Sequence, residues 1–233
     1  MKRSAINAIL IDSYAFIRQL GQHLPPFGCW TPRDWATKGD EIDEIVTRAL
    51  GWDITDFGSG DFARRGLVLF TLRNGSLADL ATGRGKLYAE KLMIVEVGQV
   101  TPLHFHWTKT EDIIVRGGGN LVVQLFSSTP EDELGDAVVV VSVDGVRHVL
   151  ASGASVTLAP GESISIPDHL YHTFCAEGGR VLAGEVSLVN DDLHDNRFYE
   201  PVGRFPTIEE DEPPLRYLTA DYATRLEAVG HGR

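Results

Sequence analysis

Cysteine, basic charge and long apolar runs are what this sequence is short of. Only Cys29 and Cys175 occur in 233 residues. Two thiols make neither a disulfide framework nor a thiolate metal cage, so any bound metal must rest on nitrogen and oxygen. Lysine and arginine number 21 against 33 acidic residues, a formal net charge of -12. Such a surface repels polyphosphate backbones, and nucleic acid is excluded as an expected partner. No apolar run approaches the roughly 20 residues needed to cross a bilayer, and the basic, apolar, small-residue order of a signal peptide is missing from the N-terminus. A cytoplasmic protein without membrane contact is expected. What remains is ordinary for a globular fold, with 43% hydrophobic and 23% charged residues. The length suits one substantial core with an appendage.

The first quarter has a helical texture. Ile6, Ile9, Leu10, Phe16, Ile17 and Leu20 recur at three- and four-residue spacings and predict a helix over Ser4–Leu20, closed by Gly21. Thr31 and Pro32 suit the cap and first position of a short second helix. Ile42, Ile45, Val46 and Leu50 share one face of a third, expected over Asp40–Leu50. Residues 1–65 therefore read as a helical extension. From Gly66 the texture changes to short β-branched and aromatic runs: 66–72, 88–97, 121–126, 137–143, 146–150, 155–158, 163–166, 172–176 and 180–189. Asp144-Gly145 fits a type I′ hairpin turn. Many short strands at near-regular spacing make the class mainly β, a barrel or sandwich over residues 66–200. Residues 201–233 read as a tail that packs on the barrel or on a neighbouring subunit. Its acidic run Glu209–Glu212 reads as a solvated surface segment.

One constellation carries chemistry. On a strand, His104 and His106 project from the same face and can share one ion. Glu111 leads the next strand, Asp112–Arg116, which is expected to stop at Gly117-Gly118-Gly119. His172 opens a strand about sixty residues later. Three imidazoles and a carboxylate leave coordination positions open on an octahedral ion such as manganese, iron, cobalt or nickel. Lone histidines are ordinarily structural or surface residues, and His23, His148, His194 and His231 are read so.

Two patterns make this set specific. Gly98, five residues, His104, one, His106, four, Glu111, six, Gly118 resembles the first cupin signature at each fixed position. Gly161, five, Pro167, one, His169, two, His172 resembles the second, with His169 in place of glycine and, further on, Ala176 in place of asparagine. The strings Tyr88-Ala-Glu-Lys91, Gln99 to Asp112, Arg116-Gly-Gly-Gly-Asn-Leu121 and Gly184 to Asp192 resemble the D-lyxose isomerase family. The resemblance runs through most of the chain. It implies a cupin double-stranded β-helix, or jelly-roll, barrel with a four-ligand site for His104, His106, Glu111 and His172, usually holding manganese. It also implies interconversion of D-lyxose with D-xylulose and of D-mannose with D-fructose. A homodimer is the expected assembly. Because one fold serves many reactions, a metal-dependent oxygenase or decarboxylase and a non-catalytic sugar-binding cupin stand as alternatives.

Aldose–ketose isomerisation moves a proton between C1 and C2, which needs a base, an acid near the carbonyl and stabilisation of an enediolate. Lys109, two residues before Glu111, points to the ligand side if the chain is extended there and can donate to a sugar oxygen. Glu185 is the expected proton-transfer base, if Ala183, Ser187 and Val189 define the inward face rather than Val186 and Leu188. Asp195 and Arg197 are candidate partners for sugar hydroxyls, and Trp107 offers an apolar face to a ring.

Overall fold

The computed structural model describes residues 1–192, 194–203 and 206–223. Helix α1 (Arg3–Gln19) follows the predicted periodicity and buries Ile6, Leu10 and Ile17. In α2 (Pro32–Ala36), Thr31 and Asp34 form a reciprocal capping box. The predicted third helix is shorter than expected, a 3-10 turn at Asp40–Ile42 running into α3 (Asp43–Thr47). Ala49 just beyond it takes a positive φ, so the chain turns out of the helix before Leu50.

Twelve strands follow among the described residues: β1 (Gly51–Thr55), β2 (Leu67–Arg73), β3 (Tyr88–Val95), β4 (His104–His106), β5 (Glu111–Ser128) and β6 (Leu134–Gly135), then β7 (Val139–Val143), β8 (Val146–Leu150), β9 (Ser155–Leu158), β10 (Ser163–Ile166), β11 (Leu170–Leu188) and β12 (Asn196–Phe198). A short helix, α4 (Leu77–Thr82), sits between β2 and β3. The spatial order is β1-β2-β3-β11-β5-β10-β7-β8, with β4 on β11, β12 on β4, and β6 and β9 on β5. Every strand pair is antiparallel.

Two differences from the sequence reading matter. First, β1 lies within the stretch read as helical, yet it pairs with β2 from Gly51↔Thr71 to Thr55↔Leu67. Second, the glycine runs do not end strands. β5 and β11 each continue through theirs and pair with one another over most of their length, with register shifts at Glu177/Val181 and Leu182/Ala183. The glycines bend these strands, which lets each serve more than one neighbour. Asp144 and Gly145 both have positive φ at the β7–β8 turn, as a type I′ turn requires.

Strands β1 to β3 are buried on both faces. Met93 and Val95 join Leu67, Ile113, Val123 and Phe174 inside the barrel, whereas Leu92 and Ile94 join Val68, Phe70 and Trp52 beneath α1. The acidic run Glu209–Glu212 is exposed, as read, but it also binds α1. Glu210 and Asp221 grip the Arg3 guanidinium, Asp211 accepts from the Ser4 hydroxyl, and Glu212 accepts from the Asn7 amide. The run binds because α1 presents a cation and two donors along one edge. Leu218 bridges to Trp52 and the Tyr222 hydroxyl donates to the Leu50 carbonyl, so the tail closes over β1. No described helix is long and apolar enough to cross a membrane. His231 lies outside the described residues.

Candidate metal centre and active site

The barrel interior should be apolar, yet a block of charge is buried in it. Glu111, Lys109, Glu185, Lys91, His106 and His172 are all nearly inaccessible to solvent. Register explains the gathering. His172 pairs across strands with His104, Ser187 with Glu111, and Glu185 with Lys91. The inward face of β11 is the one that carries Glu185, while Val186 and Leu188 are more than a third exposed.

The ligand atoms of His104, His106 and His172 lie within 4.8 Å of one another. Each Nδ1 stands beside a backbone carbonyl: His104 to Pro102 at 2.9 Å, His106 to Asp195 at 3.1 Å, and His172 to Leu170 at 3.0 Å. A carbonyl only accepts, so these contacts assign the proton to Nδ1 and leave each Nε2 as a bare lone pair. Burial and the neighbouring imidazoles push the His104 pKa well below its ordinary value, which keeps that ring neutral. The Glu111 carboxylate faces this cluster, 3.3 Å from His106 Nε2 and 3.1 Å from His172 Nε2. The His172 Nε2 is buried without a hydrogen-bond donor. Lone pairs and a carboxylate pointed at one another repel unless a cation lies between them, so this donor set fits a divalent ion.

Beside the cluster, Lys109 Nζ lies 2.9 Å from Glu111 and 2.9 Å from Glu185. Burial alone would lower the lysine pKa, but the two carboxylates outweigh it and raise the value. Burial likewise opposes ionisation of Glu111 and Glu185. Lys109 overcomes it at Glu111, and Lys109 and Lys91 at Glu185, so both carboxylates are held below the usual range. Lys91 Nζ lies 3.2 Å from Glu185 and 2.5 Å from Asn190 Oδ1. Sequence reasoning quoted Lys91 only as part of a string. Its signal was parity, since it shares a strand face with Met93 and Val95.

A cavity is lined by His104, His106, Glu111, Lys109, Glu185 and Lys91, with Asp53, Thr55, Asp192 and Asn196 along other walls. The sequence analysis missed Asp53 because β1 was read as helical. Trp107, Asp195 and Arg197 do not line this cavity. Trp107 packs edge-on against Phe105 and His169. Asp195 lies behind the site, where its carbonyl holds His106 Nδ1 and its carboxylate accepts from the Thr108 amide and hydroxyl. Arg197 pairs in register with Phe105, and its guanidinium donates to the Phe198 carbonyl.

In fold, the chain matches solved cupin-type sugar isomerases. L-ribose isomerase from Cellulomonas parahominis superposes with a TM-score of 0.60 at 18% identity, covering 90% of this chain and 98% of that one. The enzyme of the same name from Geodermatophilus obscurus gives 0.58 at 19% identity, covering 89% and 98%. The particular family comes from sequence. A model described as D-lyxose isomerase matches residues 1–222, and this chain belongs to that family. It is 49% identical over 225 residues to the D-lyxose/D-mannose isomerase of Serratia proteamaculans, covering 95% of this chain and 98% of that protein. It is 48% identical, with the same coverage, to the protein of that name in Escherichia coli O157:H7. The chain is thus a sugar isomerase by family.

Proposed function

We propose that this chain is a metal-dependent aldose–ketose isomerase that interconverts D-lyxose with D-xylulose and D-mannose with D-fructose through a cis-enediolate. The observation that carries the reading is the buried Lys109, shared by Glu111 and Glu185 on the wall of the cavity that His104 and His106 also line. In this reading His104, His106, Glu111 and His172 hold the ion. Once bound there, a divalent ion would supply Lewis acidity for the negative charge that develops on the sugar.

The protein's own groups do the proton work. Glu185, held ionised, takes the C2 proton of the aldose and returns it to C1, while the proton of the O2 hydroxyl passes to O1. Lys109, held cationic, donates a hydrogen bond to the oxygen that becomes negative as the C2 proton leaves. The buried walls exclude bulk water and keep these interactions strong. Asp195 orients His106 and Thr108 from behind rather than touching sugar.

The reading includes manganese as the resident ion, with cobalt, iron or nickel as alternatives, and a cytoplasmic homodimer; both cysteines are free, as a reducing compartment favours. Elemental analysis, fractionation and light scattering check these points. The activity itself is tested by incubating metal-loaded protein with D-lyxose and D-mannose and assaying ketose; no ketose from either sugar sinks it. His106→Ala is expected to lose both ion and turnover. Full metal occupancy in that variant would refute the ligand assignment.

A further inference from the structure

The reactive groups line only one of two adjoining cavities. Past the inner one lies an outer cavity walled by Thr47 and Arg48, by Thr71 of β2, by Ser76 and Ala78 at α4, and by Ala220 in the tail. Its free volume is about 700 Å3, against about 90 Å3 for the inner one. The two share four lining residues, Asp53, Leu69, Lys91 and Asp192. Three of these are charged, and Asp53 and Lys91 are buried. Charged groups where two cavities meet, two of them buried, suit a flexible polyol rather than a packed core.

This arrangement gains meaning from the two sugars of the proposed function, on which the inference rests. D-lyxose and D-mannose have the same configuration from C2 to C4 and differ only at the distal end, where the hexose has one more CHOH unit. With C1 and C2 set beside Lys109 and Glu185, the added unit must be accommodated at the far end of the chain. We propose that the outer cavity is a distal subsite. Asp53, Lys91 and Asp192 take the hydroxyls at the waist, and the space beyond receives the carbons of aldoses longer than five. Asp53, Asp191 and Asp192 outnumber Arg48 and Lys91 around it, so the ligand class is a neutral polyhydroxyl end and not a phosphate.

Ala78 and Ala220 are both exposed and both line the outer cavity, so an indole at either fills space without disturbing the core. In Ala78→Trp and Ala220→Trp, kcat/KM for D-mannose is expected to fall about tenfold relative to kcat/KM for D-lyxose, the scale set by losing room for one carbon unit. Wild-type protein is also expected to turn over an aldoheptose with the C2–C4 configuration of D-lyxose. If both variants leave the ratio of the two sugars unchanged, or the heptose is refused, the subsite is wrong while the isomerase reading stands. If the wild type converts neither sugar, both fall.

Discussion

Lys109 lies 2.9 Å from the Glu111 carboxylate and also holds Glu185 at 2.9 Å. Lys109→Met therefore leaves two buried carboxylates short of a cation. The expected cost is about 3 kcal/mol of stability and a fall in kcat of at least about 100-fold, read by denaturant unfolding and steady-state kinetics. Acid should act on the same cluster. Glu111 and Glu185 are depressed below their ordinary value, so their contribution is present above about pH 4.5 and disappears as pH falls through the depressed values. His104 is also depressed and stays neutral when folded. The unfolded chain takes up a proton below about pH 6.5, so stability falls as pH drops through that value. In chelator-treated protein, the melting temperature should decline between pH 7 and pH 5, and His104→Gln should flatten that slope.

At the scale of elements, the glycines show what was legible and what was not. Strand alternation in β3, the turn at Asp144-Gly145 and the spacing of the four candidate ligands could be read from residue types, because each is a local rule. The continuity of β5 and β11 could not, because it depends on a partner strand far along the chain. Gly118 has φ +96°, and a Cβ there would sit 2.0 Å from the Arg180 carbonyl oxygen of β11. Gly161 has φ +99°, but its Cβ would meet nothing within 4 Å. Gly118→Ala is expected to cost more than about 3 kcal/mol or prevent folding, and Gly161→Ala only about 1 kcal/mol, by chemical denaturation. His169, the departure from the cupin pattern, holds φ +56°, the left-handed backbone that glycine would adopt without strain. Its ring stacks on Phe105, a contact glycine cannot make.

At the scale of the whole molecule, the exposed acidic run also serves as a clasp. The Arg3 side chain is only 2% exposed and is shared by Glu210 and Asp221. Arg3→Gln should cost about 2 kcal/mol, less than a fully enclosed pair because Glu210 is half exposed. Limited proteolysis should then cut the tail first. No periodicity announced this, since α1 and the tail meet only in three dimensions.

That clasp also imposes an order on biosynthesis. Arg3 and Asp221 are separated by 218 positions. At roughly 5–20 residues per second, the guanidinium leaves the ribosome roughly 10–40 s before its second carboxylate exists. During that interval the cation that α1 must bury lacks the tail that neutralises it, and Ala220 has not yet closed its wall of the outer cavity. The nascent protein would thus carry every residue named on the inner cavity before the tail completes the wall of the outer one.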